Sequence, residues 1–182
     1  FLFFATKSPN CYVSNDYVVK LILEAMKDNN LIKDYQLLVR LHPIFYRITN
    51  KNYVYSDFMH VFKHLEKKHN RLILNPPKII TDSLNYSMPD SEIKLLTSIY
   101  RHSSLVITVF SSINIEASIF DIPIVNITFE GEIPSHLKKA RLDINLDLNE
   151  THNQRIVNTG GVAMAYKAEE LIPLINEELS TP

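Results

Sequence analysis

The chain has 182 residues, 46% of them apolar and 21% charged, with a formal net charge of −1. This describes one large globular domain that can bury a real core, with no electrostatic footprint for nucleic acid or anionic lipid. No apolar run approaches the roughly 20 residues that span a bilayer, and the single cysteine, Cys11, excludes an internal disulfide or a cysteine zinc cluster.

Short apolar runs alternate with segments of helical period. Phe1–Ala5 reads as a first strand, and Thr6–Asn15 as the loop after it. Asp16–Lys27 follows as a helix with Val18, Leu21, Ile22 and Ala25 on one face. Gln36–Leu41 is a second strand closed by His42-Pro43. Asp57–His69 is a helix whose Phe58, Val61, Phe62 and Leu65 fall at i, i+3, i+4 and i+7. Leu72–Leu74 is a third strand, stopped by Pro76-Pro77. Asp90 reads as the N-cap of Ser91–His102, with Ile93, Leu96, Ile99 and Tyr100 inward.

Leu105–Phe110 is a fourth strand, Ser112–Phe120 a short helix and Pro123–Phe129 a fifth strand. Glu130–Asn149 reads mostly as loop. A helical turn near His152–Asn158, a stop at Gly160-Gly161, a strand Val162–Tyr166 and a helix through Leu179 complete the order. Pro173 should kink that last helix unless it lies in the first turn. About six strands alternating with helices predict an α/β, doubly wound, Rossmann-like and mainly parallel sheet. Its ligand crevice should lie beyond the carboxyl ends of the strands.

Two strand ends carry candidate chemistry. At Ser111-Ser112 a strand turns into a helix, whose free N–H groups and dipole attract phosphate. Glu116 stands one turn on, about 6 Å along the axis, and can accept a pair of ribose hydroxyls. Plain capping by the serines explains the same residues. At the second strand end, Pro43 extends the backbone of His42. Its ring can then donate to phosphate or act in acid–base chemistry, and alternation puts Arg40 on the same side. Lys7, in a glycine-free loop, is a weaker anion candidate. His60 and His64 share a helix without the glutamate of a zinc protease, so a solvated face fits better than a metal site.

These residues resemble the C-terminal, donor-binding domain of GT-B glycosyltransferases. The resemblance rests on Ser111-Ser112-Ile113-Asn114-Ile115-Glu116-Ala117, followed by Asp121-Ile122-Pro123-Ile124-Val125. Leu38-Val39-Arg40-Leu41-His42-Pro43 looks like the His-Pro strand end of bacterial capsule and CDP-glycerol-polymer transferases. Thr151–Ile156 and Ala168–Leu179 resemble that group's tail. By position, the resemblance implies that Ser111 and Ser112 hold the donor diphosphate and Glu116 the ribose, with His42 in the catalytic place. The resemblance also puts Arg40 beside His42, and Lys7 and Thr108 are read as further donor-site residues. Asp121 replaces a frequent glycine, and Thr108 stands where many retaining members carry a second glutamate.

The implied whole is half of a GT-B enzyme of surface polysaccharide biosynthesis, with a nucleotide-sugar donor and neither metal nor cofactor. The chain opens in a strand without methionine, so we expect a domain excised from a longer protein. Its preceding domain would bind the acceptor, and the fragment alone would be inactive. The lone cysteine favours a cytoplasmic setting, leaving any peripheral membrane association to the parent. Two alternatives stay open: a nucleotide-sugar epimerase of the UDP-N-acetylglucosamine 2-epimerase type, and a non-catalytic α/β binding domain.

Overall fold

The computed structural model describes residues 1–28, 31–46, 48–49, 52–53, 55–78, 88–133 and 144–181, with only the backbone described at 48, 49, 52, 53 and 145. Strand β1 (Leu2–Ala5) leads into α1 (Asn15–Asp28) and β2 (Leu37–Arg40). A 3-10 turn (Pro43–Tyr46) and a small antiparallel hairpin, β3 (Ile48–Thr49) with β4 (Asn52–Tyr53), precede α2 (Ser56–Lys68) and β5 (Leu72–Asn75). There follow α3 (Asp90–His102), β6 (Leu105–Thr108), α4 (Ser112–Ile119) and β7 (Ile124–Ile127). Helices α5 (Ile144–Asn149) and α6 (Thr151–Asn158), strand β8 (Ala163–Ala165) and α7 (Ala168–Ser180) complete the order.

The main sheet runs β5-β2-β1-β6-β7-β8, every neighbouring pair parallel. Helices cover both faces, which is why the central strands are apolar on both sides. Leu2, Phe4, Leu105, Ile107, Val125 and Ile127 join the core beneath α1, α2 and α7. Phe3, Ala5, Val106 and Ile124 join a second core with Ile99 and Tyr100 of α3 and Ala117 of α4. The doubly wound α/β sheet expected from the alternation is therefore present.

Several details differ from the sequence reading. Pro89, in extended conformation, occupies the N-cap of α3, and Asp90 is already helical. Ile93 is 55% exposed, while Glu92 is buried. Periodicity marks a helix's inner face by apolarity, and here a paired charge takes one inner position. Pro173 lies beyond the first turn of a helix that runs continuously from Ala168 to Ser180. The stretch read mostly as loop contains α5; its residues 134–143 lie outside the described residues. The β3–β4 hairpin and the 3-10 turn were not expected. Asp121 does adopt the left-handed conformation, at φ 55°, as its place in a glycine position suggested.

Candidate functional site

The strand order reverses between β1 and β6, so the two chains leaving their carboxyl ends diverge and open a crevice. Ala5 pairs with Arg40 on one side and Thr108 on the other, so β2, β1 and β6 end level. Strands β2 and β6 flank β1 and thus stand about 10 Å apart. Lys7, His42 and Ser111 each lie two or three residues beyond one of these three ends.

The loop after β1 has no glycine, and side-chain hydrogen bonds shape it instead. Asn15 accepts from the Lys7 N–H at 2.9 Å, and its Nδ2 donates to the carbonyls of Lys7 at 3.0 Å and Tyr12 at 2.7 Å. The buried Tyr12 hydroxyl donates to the Phe129 carbonyl, joining this loop to the one after β7. So anchored, Lys7 sends its ammonium across the switch point. It donates to the Phe110 carbonyl at 2.9 Å and pairs with Asp147 of α5.

At the β6–α4 turn, extended Ser111 is the N-cap, its Oγ accepting from the Ile113 N–H at 3.3 Å. The Ser111 carbonyl accepts from the Asn114 N–H, and the Ser112 N–H, in the first turn, has no partner among the described residues. Such an orphan donor at a helix start suits an anion. Thr108 is buried, with its Oγ1 3.2 Å from Ser111 Oγ, so it buttresses the cap from below. Ser112 donates to Glu116 Oε1 at 3.0 Å, and the Tyr100 hydroxyl donates to Glu116 Oε2 at 2.9 Å. Asn114 is buried and donates to Asn126 of β7, fixing the inner side of α4.

His42 is tied to the same place through its backbone, whose N–H donates to Thr6 Oγ1 at 2.8 Å. Its Nδ1 accepts from the Ile44 N–H at 3.2 Å, assigning the ring proton to Nε2. Burial lowers its pKa, and the positive charge of Lys7 lowers it further. The neutral ring is a donor through Nε2, which suits a phosphate oxygen better than general-base work.

Arg40, expected beside His42, is already paired in the structure. It faces α3, where its guanidinium donates to Glu92 Oε2 at 2.9 Å and to Asn75 Oδ1, with only 7% of the residue exposed. Alternation puts Arg40 and His42 on one side only while the strand continues, and β2 ends at Arg40. Arg40 holds α3 to the sheet. His60 and His64 are exposed, and no three metal-ligating side chains cluster among the described residues. A separate open crevice of about 470 Å³ lies between α4 and α6, lined by Ile115, Ser118, Ile122, Ile156 and Val162. Asp121 is its one ionisable lining residue among the described residues.

This architecture has a solved counterpart. The chain shares its fold with a UDP-GlcNAc 2-epimerase. That enzyme, from Methanocaldococcus jannaschii, was solved in complex with UDP-GlcNAc and UDP. The match has a TM-score of 0.58 at 14% identity, covering 100% of this chain and 39% of the other. The chain thus spans well under half the length of that enzyme, which shares the GT-B-like, Rossmann-like fold. No family model matches the sequence, and no curated protein matches it. No helix among the described residues is long and apolar enough to cross a membrane.

Four residues of this region escaped the sequence reading in their present roles. Asn15 and Asp147 stood in stretches read as loop. The sequence pattern marks Tyr100 only as core and gives Glu92 no role. Tyr100 carried a usable signal: a buried tyrosine needs a partner for its hydroxyl.

Proposed function

We propose that the chain is the nucleotide-sugar-binding half of a two-domain GT-B enzyme, a glycosyltransferase of surface polysaccharide assembly. The observation that carries this reading is the meeting of Lys7, His42 and the Ser111–Glu116 turn at the one switch point of the sheet. In the proposed complex, the Ser112 N–H and hydroxyl hold the donor diphosphate and Lys7 supplies positive charge. Glu116 accepts the ribose hydroxyls. In transfer, the bond from the anomeric carbon to the diphosphate breaks and its electron pair goes to a phosphate oxygen. Neutral His42, donating through Nε2, and Lys7 stabilise that charge without a metal. The acceptor and its base come from the other half, so this chain alone binds nucleotide and transfers nothing.

The fold shared with a UDP-GlcNAc 2-epimerase favours a second reading, in which the same turn holds a nucleotide sugar for epimerisation. Incubating the full-length protein with UDP-GlcNAc alone separates them. An epimer formed without acceptor favours the second reading; consumption only after an acceptor glycan is added favours transfer. Calorimetry with nucleoside diphosphates tests the shared core. We expect binding that Glu116→Ala weakens by about tenfold or more. No heat from any nucleotide would leave the serines as plain caps and defeat both readings.

A further inference from the structure

Glu116 is held from two sides by hydroxyls of very different mobility. Tyr100, on α3, is 2% exposed. Its ring packs edge-on against Phe3, with centroids 5.8 Å apart, and stacks on Phe120 at 5.4 Å. A ring clamped in this way keeps its hydroxyl in one place. Burial and the neighbouring Glu116 push the phenol's pKa upward, so it keeps its proton and donates. Ser112 is exposed and carries a single hydroxyl proton, which it now gives to Glu116. It cannot give that proton to Glu116 and to a phosphate together. A carboxylate offers about four lone-pair sites. Once the Ser112 hydroxyl donates to a phosphate instead, Tyr100 is the partner among the described residues that still fixes the orientation of Glu116.

We propose that Tyr100 is a positioning residue that holds Glu116 as a reader of a vicinal diol, so that the site selects ribonucleotides over their dideoxy counterparts. Ser112 is then the mobile partner, turning from Glu116 to phosphate as the ligand enters. This inference rests on the donor-site reading above and adds a residue and a selectivity to it.

The test uses the full-length protein and whichever of UDP, CDP, ADP or GDP binds tightest, beside its 2′,3′-dideoxy form. Wild type should prefer the ribonucleotide by about tenfold or more, the scale of a hydrogen bond to a charged group. Glu116→Ala should abolish the preference. Tyr100→Phe should cut it about fivefold while leaving dideoxy affinity nearly unchanged. Ser112→Ala should weaken both ligands alike and keep the preference, a result that does not depend on how well the tyrosine variant folds. Should Glu116→Ala keep the preference, or should no nucleotide bind, the donor-site reading itself fails. If Glu116→Ala loses the preference but Tyr100→Phe retains it, or Ser112→Ala loses it too, only the role of Tyr100 is overturned.

Discussion

Arg40–Glu92 and Lys7–Asp147 both join a cation near a strand's carboxyl end to a carboxylate on a helix, yet their surroundings differ. The side chains of the first pair are 8% and 2% exposed, and Asn75 takes a further guanidinium proton. The second pair is 14% and 24% exposed, at the one place where the sheet order reverses. A buried pair of that kind cannot exchange its partner for a ligand without leaving a charge in the core. A partly buried ammonium that borders a crevice can trade a carboxylate for a phosphate without leaving its charge unpaired. Charge and proximity to a strand end therefore do not by themselves make a cation available to a ligand; a position at the switch point does.

Breaking the buried pair should have the largest effect. Glu92→Gln should destabilise the fold by about 3–5 kcal/mol, because Arg40 is left buried without its counter-charge. Replacing both partners, as Arg40→Met with Glu92→Leu, should recover most of that loss. Urea denaturation reads both, and nucleotide affinity of the folded Glu92→Gln fraction should stay near wild type. A large loss of affinity there would return Arg40 to the site.

Lys7→Ala should do the reverse. We expect nucleoside diphosphate affinity to fall by about 10- to 100-fold, with a smaller loss of stability than Glu92→Gln gives. A Lys7→Ala protein with unchanged affinity but a collapsed unfolding midpoint would make the two pairs equivalent. Between these extremes, Ser111→Ala should cost about 1 kcal/mol of stability through the lost cap, since its hydroxyl meets the Ile113 N–H and Thr108.

The smallest effect is a pH slope. The pKa of His42 is lowered in the fold, by burial first and Lys7 second. Below about pH 6.5 the unfolded chain therefore takes up a proton before the folded one does. Stability from this group is fully present above that pH and is lost as pH falls towards the folded value. His42→Asn, which keeps an acceptor near the Ile44 N–H, should flatten the slope between pH 7 and pH 5 in denaturation curves. An unchanged slope would assign it to other groups, such as the more exposed His69.

The sheet and most helices were legible because apolar period and proline stops are local properties of the chain. Phe62 and Leu65 of α2, or Leu105–Thr108 of β6, announce themselves within a few residues. The serine turn was legible as a place but not as a state. Which proton each serine gives depends on Thr108 below and Glu116 a turn away. The partners of Arg40 and Lys7 were illegible for a different reason: Glu92 is 52 residues from Arg40, and Asp147 is 140 from Lys7. Nothing local identifies a pairing made by the return of a distant helix to the sheet.

The most direct test of the donor site is a titration of the full-length protein with UDP followed by backbone amide chemical shifts. The largest shifts are expected at Ser112, Ile113 and Lys7, with a smaller one at His42, all reduced by Glu116→Ala. Shifts confined to Ile122, Ile156 and Val162 in the crevice between α4 and α6, or none at Ser112, would contradict it.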